Sequence, residues 1–334
     1  MGKDRRRVVA AWIAGLALVL WLDAALAAPL RLTDLKRQFD QPEQAVDFAE
    51  AKLTVDQLID PSIDSAAVRK ALDQLTQAAQ SRLTTGLSHR GQMDVLLDTL
   101  YKPGPWNGNR PFSYDLNDPF GKNRHNKLLA TYLQTRKGNC VSMPILVAII
   151  GQRLGLIVTL ATAPEHVMVK FADDDGNWWN VEATGGGYKW DSSYERDLDI
   201  GALALQNEIY LRPLTPRQSV GVMASTLMED LAAKKQADDL MAVADMILAV
   251  NPKDTVAMIQ KANAYYLQLQ ERYHAKYSRP VDIPADLQAD FKMRSRENLA
   301  WFEKAEALGW VPPTAKNREW YLQSIQQEKS KRGQ

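Results

Sequence analysis

The chain is poor in the residues that build covalent or metal frameworks. It has one cysteine in 334 residues. That excludes an intramolecular disulfide and any zinc site built on several thiolates. Histidines number four, at positions 89, 125, 166 and 274, too few and too scattered to suggest a histidine metal cluster. Charge of either sign is also lacking in excess: 41 Lys and Arg stand against 40 Asp and Glu. A protein held to nucleic acid by phosphate neutralisation needs a basic surplus or stripe, so no nucleic-acid partner is expected. Long hydrophobic runs are missing too, apart from Val8–Leu22. What remains is an ordinary globular composition, 46% hydrophobic and 24% charged, of a length that suggests about two domains.

The exceptional run belongs to the N-terminus. Lys3, Arg5, Arg6 and Arg7 precede it, and Ala25-Leu26-Ala27 places small residues where a signal peptidase reads. The apolar part is shorter than the roughly 20 residues of a transmembrane helix. Residues 1–27 are therefore expected to be a cleaved export signal, with an N-terminal membrane anchor as the alternative. Cleavage shifts the net charge from +1 to about −1. The folded part is expected outside the cytoplasmic membrane, in the periplasm or anchored at its surface.

Residues 31–101 carry the three- and four-residue spacing of amphipathic helices, as in Val68, Leu72, Leu75 and Met93, Leu96, Leu97, Leu100. Residues 102–124 are rich in Pro, Gly, Asn and Asp and read as an ordered loop. A helix is expected over 126–134, then a very apolar one from Cys140 to about Arg153, wide enough in its apolar face to be central and buried. The period then changes to two. Strands are expected at 157–160, 166–171 and 178–182, the last two joined through the Asp175-Gly176 turn signal. From about Ser219 the chain is helical only. Small residues at close-packing positions, with Pro closing each hairpin, resemble tetratricopeptide repeats: one fair unit over 219–252 and an interrupted one over 253–312. A plain helical subdomain is the alternative.

Three residues could do chemistry together. Cys140 falls at a helix N-terminus, where free N–H groups and the helix dipole favour thiolate. His166 opens one strand, and Glu182 ends the neighbouring one. Antiparallel strands joined by a short hairpin bring those ends side by side. The carboxylate can then hold one ring nitrogen while the other faces the thiol. A lone cysteine is most often a small buried hydrophobe, and single histidines and glutamates at strand ends are usually structural or solvated. Joint placement, in the order nucleophile, base, acid, is what lifts the set above those readings.

At these residues the sequence resembles a family. Thr135-Arg136-Lys137-Gly138-Asn139-Cys140, Gln152-Arg153-Leu154-Gly155-Leu156, Ala163-Pro164-Glu165-His166 and Asn180-Val181-Glu182-Ala183-Thr184-Gly185-Gly186 look like the bacterial transglutaminase-like domain of the SirB type. The likeness spans about residues 45–190. It implies an α+β papain-like cysteine protease core, with helices packed on an antiparallel sheet. Residue by residue it places Cys140 at the nucleophile, His166 at the base and Glu182 at the acid. Most such cores carry Asp at the last position, and members of the SirB group often lack the cysteine. Gln134, six residues before Cys140, has the spacing of an oxyanion-hole glutamine in papain-like enzymes; the Cys140 backbone N–H is the other candidate donor. Asn126 and Tyr114 fall in the pre-core motif, where they would line the cleft or fix the loop. Trp178 and Trp179 point to opposite faces of one strand, one into the core and the other toward the cleft or a domain interface. His125 and the Asp173–Asp175 acids read as solvated.

The expectation is thus an exported protein with a transglutaminase-like domain over 28–215 and a tetratricopeptide-like domain over 216–334. Its leading function is thiol-dependent acyl transfer, most simply hydrolysis of a peptide or isopeptide amide, with transamidation differing only in the final acceptor. No metal or organic cofactor is implied. The partners implied are a protein or peptide substrate and a protein docked on the helical region. The rival class is a non-catalytic protein-binding module with a relic triad.

Overall fold

The computed structural model describes residues 31–314 and seven residues between 319 and 330. The proposed export signal lies outside the described residues. Four helices come first: α1 (Leu32–Asp40), α2 (Phe48–Ile59), α3 (Ser65–Gln80) and α4 (His89–Tyr101). Side-chain caps start three of them. Asp47, Asp64 and Ser88 each accept from a first-turn N–H, satisfying donors that the helix itself leaves open.

The Pro/Gly/Asn loop then runs through the short strand β1 (Ser113–Tyr114) and a 3-10 turn over Arg124–Lys127 into α5 (Leu129–Thr135). Strand β2 (Lys137–Gly138) pairs in parallel with β1. Helix α6 (Ser142–Arg153) follows, and every residue from Ser142 to Gly151 is buried. Gly151 lets it approach the sheet closely: a Cβ there would sit 3.0 Å from the Val158 side chain.

The sheet is antiparallel, in the order β3 (Val158–Ala163), β4 (His166–Ala172), β5 (Trp178–Glu182), β6 (Gly187–Tyr188). The three expected strands are present, the first running three residues further than its alternation suggests. Helix α7 (Asp191–Asp197) and the short α8 (Ala202–Gln206) come next. Four helices complete the described fold: α9 (Pro216–Ala233), α10 (Ala237–Val250), α11 (Thr255–Leu269) and α12 (Gln288–Ala307). Antiparallel neighbours pack tightly at small residues. A Cβ on Gly221 of α9 would lie 3.1 Å from Ile247 of α10.

The hydrophobic core does not pause near residue 215, where composition suggests a boundary. One cluster runs from Leu35 through the α6 residues and Val181 to Val220, Leu227, Ile247 and Ala264. Leu211 and Leu214 donate backbone hydrogen bonds to Thr162 and Leu160 of β3. The Ser219 hydroxyl of α9 meets that of Thr159 at 2.9 Å. Helix α12 is different, for Ala305 is its one buried residue. Among the described residues no helix is long and apolar enough to cross a membrane.

Candidate active site

Asn139 builds the turn that presents Cys140. Its carbonyl accepts the Met143 N–H at 3.1 Å. Its side-chain Oδ1 accepts from Val141 N at 3.0 Å and Ser142 N at 3.1 Å. Its own N–H donates to the Ser142 hydroxyl at 3.1 Å. Asn139 thus acts as the cap of the apolar helix, and Cys140 is the first residue past it, two positions ahead of regular helix. Among the described residues, the Cys140 N–H has no acceptor, whereas the amides of Asn139, Val141, Ser142 and Met143 are all taken. A free amide beside a sulfur is what an oxyanion needs.

Gly138, just before the cap, is held to close quarters. A Cβ there would lie 2.5 Å from the Tyr132 ring and 2.7 Å from Met143. The thiol is half-buried, and Sγ lies 3.8 Å from the Glu165 carbonyl oxygen. Pro164 and Glu165 form the tight turn between β3 and β4, and Glu165 takes the left-handed conformation at φ 53°. A non-glycine residue in that region is uncommon and strained. Here the strained residue aims its carbonyl at the thiol and hands the chain to His166.

His166 and Glu182 meet as the sequence suggests. Nε2 of the ring lies 2.8 Å from Glu182 Oε2. The register explains the reach. Lys170 pairs with Asn180 and Val169 with Val181; one residue further, that register sets Glu182, the last residue of β5, opposite Met168, two residues past His166. Glu182 is then the diagonal same-face neighbour, a separation of roughly 7–8 Å between such positions that needs a long side chain. Nε2 being taken, Nδ1 is the nitrogen left for Cys140, which is among the groups that raise the His166 pKa.

Two further groups hold the acid. The Tyr194 hydroxyl donates to Oε2 at 2.7 Å, and the Thr184 N–H donates to Oε1 at 3.1 Å, joined there by the Thr184 hydroxyl. Both side chains of the pair are 17% exposed. Burial alone would lower the His166 pKa; the Glu182 charge and the hydrogen bonds to Cys140 and Glu182 overcome it and raise the value to about 10. Burial alone would raise that of Glu182; His166, Thr184 and Tyr194 overcome it and bring the value down to about 2. Both shifts favour the imidazolium–carboxylate form of the pair.

The other sequence candidates are placed elsewhere. Gln134 is exposed in the last turn of α5, and its side chain makes no hydrogen bond among the described residues. Asn126 donates to Asp118 at 3.0 Å and Asp115 at 3.4 Å, and so ties the loop together. Tyr114 is buried, with its hydroxyl on the Pro119 carbonyl at 2.6 Å. Trp179 packs on the core and donates to Asp173, while Trp178 is 43% exposed. His125 is exposed, and Asp173 serves its own hairpin by accepting from Asp175 and Asn177. No group of three or more His, Cys, Asp or Glu among the described residues is arranged to hold a metal.

Sequence reasoning missed Thr184 and Tyr194 as site residues. Thr184 stood inside a quoted motif without a role. Tyr194 sits on α7, whose Asp191-Ser192-Ser193 start was a usable helix signal.

Residues 66–225 match the family model of the Transglutaminase-like superfamily. No significant match is found among curated proteins or among solved structures. The matched span runs from α3 into α9 and contains the Asn139 turn, both strands of the His–Glu pair and α7. The chain carries a transglutaminase-like domain over residues 66–225, with a fold consistent with that of cysteine proteases.

Proposed function

We propose that the protein is a thiol-dependent acyl-transfer enzyme acting on an amide of a protein or peptide. The observation that carries this reading is the hydrogen-bonded pair of His166 with Glu182 beside Cys140, whose backbone N–H has no acceptor among the described residues. With its proton on His166, Cys140 Sγ attacks the amide carbonyl as the thiolate, and the oxyanion is received by the Cys140 N–H. The proton held by His166 passes to the leaving amine, and the C–N bond breaks to leave a thioester. Water, or a second amine, then attacks the thioester with His166 taking its proton, and the C–S bond breaks to restore the thiolate beside the protonated ring. Hydrolysis is the simpler outcome. Within the superfamily, the reading is a domain of the SirB type, supported by the resemblance of the motifs at residues 135–140, 152–156, 163–166 and 180–186.

The test is alkylation of Cys140 by iodoacetamide at pH 6, followed by mass spectrometry. A thiolate–imidazolium pair reacts at that pH, where a simple thiol is slow. The expected result is a rate lowered about 100-fold by His166→Ala and less by Glu182→Gln, in the range of one lost catalytic partner. Equal and slow labelling in all three proteins would leave Cys140 a core residue and turn the cleft into a binding site.

We also propose that the hairpins α9–α10 and α11–α12 form a tetratricopeptide-like region that docks a partner. The close α9–α10 crossing at Gly221 and the sparsely buried α12 support it. Deleting residues 288–334 should leave the pH 6 alkylation rate unchanged; a slower rate would make α12 part of the active site instead. Export completes the proposal, motivated by the basic, apolar and Ala-Leu-Ala order of residues 1–27. N-terminal sequencing of periplasmic protein should then begin at Ala28. Full-length chain in the carbonate-washed membrane pellet would indicate the anchor.

A further inference from the structure

We propose that Tyr194 and Thr184 are positioning residues, which clamp the Glu182 carboxylate so that it can serve His166 from a diagonal position on the next strand. The inference rests on the triad reading for its functional meaning, but its structural content can be tested apart from it.

An ionised carboxylate offers about four acceptor positions, two on each oxygen. All four are filled here. Oε2 receives His166 Nε2 and the Tyr194 hydroxyl; Oε1 receives the Thr184 N–H and hydroxyl. The donors come from three different places: the start of β4, the turn after β5, and α7. A glutamate has one more rotatable bond than an aspartate, and that added reach lets it meet the ring from the diagonal position. Left with His166 alone, it could turn to solvent, because the site is not sealed. Thr184 and Tyr194 remove that freedom before the reaction begins.

Tyr194 is suited to the task. Its ring is 1% exposed in the small cluster with Ala161, Ala163, Met168 and Leu211, so the hydroxyl is aimed by packing. Burial, and then the neighbouring Glu182 charge, hold its pKa far above the ordinary 10, so it remains a donor. The ring also stands 5.8 Å from that of His166, and Lys189 lies over its outer side at 4.4 Å. Besides these, the titratable groups that act on the pair are Cys140 ahead of α6 and Tyr101 at the end of α4.

The experiment is a titration of His166 by NMR in the full chain, with its imidazole signal identified by its loss in His166→Ala. In the natural chain the midpoint should lie near 10. Tyr194→Phe keeps the buried ring and removes the donor. It should lower the midpoint by roughly one pH unit, because a carboxylate free to turn away holds the imidazolium less well. Thr184→Val should act in the same direction, whereas Thr184→Ser, which keeps a hydroxyl, should titrate like the natural chain. That rescue distinguishes positioning from a general loss of packing. A midpoint unmoved or raised in Tyr194→Phe overturns the proposal, as does Thr184→Ser falling as far as Thr184→Val. Failure of the triad reading shows separately, as Cys140 alkylation indifferent to His166→Ala.

Discussion

A chain ending at residue 215 is expected to lose cooperative folding. Helix α9 lies directly beyond that point, and it buries Val220, Val222, Met223, Leu227, Met228 and Leu231. At about 1.5–3 kcal/mol for each such side chain, their burial is comparable with the whole stability of a domain, about 5–15 kcal/mol. Truncation also strips the apolar faces of α2 and β3 and frees Lys127, which is 7% exposed, from Glu229 at 2.6 Å. The expected product is aggregated, or lacks a sigmoidal thermal transition by circular dichroism. A chain ending at 286 instead loses α12, which buries one residue, and should keep a single sharp transition. A cooperative, monomeric product ending at 215 would show that α9 is an accessory to the core.

Lys52→Met is expected to cost about 3–5 kcal/mol, read as a drop in the denaturant midpoint at pH 7. Lys52 and Asp56 are one helical turn apart on α2, both fully buried, with Nζ 2.5 Å from Oδ1. Asp56 uses its other oxygen to accept the Leu129 N–H at 2.7 Å, and so caps α5, the helix that leads into the Asn139 turn. Burial raises the Asp56 pKa, and the Lys52 charge opposes this without cancelling it. Removing Lys52 strands the carboxylate. The sign with pH follows. An acid with a raised pKa in the fold loses stability as pH climbs through its ordinary value of 3.8 and recovers it as the proton returns. The Lys52→Met deficit should therefore shrink as pH falls. Adding Asp56→Asn, which stays neutral and can still accept from Leu129, should restore most of the loss at pH 7. A deficit of equal size in the double variant would assign the effect to packing of the lysine stem.

Much of the architecture was legible because it rests on local periodicity. The three main strands lie where a period of two begins, and the apolar stretch after Cys140 forms the central helix. The short pieces were not legible. Strands β1, β2 and β6 have two residues each, too few for any alternation, and exist through their partners. Gln134 had a spacing that fits an oxyanion donor, but spacing along the chain does not say which way a side chain turns at the end of a helix. It turns outward.

The sequence by itself determined the order cysteine, histidine, glutamate and the elements that carry them, because helix starts, strand starts and hairpins are local events. It also determined the sorting of 31–215 as mixed structure and of the remainder as helical. Only the tertiary structure decided three things. It merged the two parts into one core, since the apolar face of α9 has to be buried against whatever lies beside it in space. It set Glu182 on the diagonal from His166 instead of opposite it, since register depends on pairing and not on composition. And it brought Thr184 and Tyr194 to the carboxylate, since a buried charge must collect its hydrogen bonds from any element that the fold places within reach.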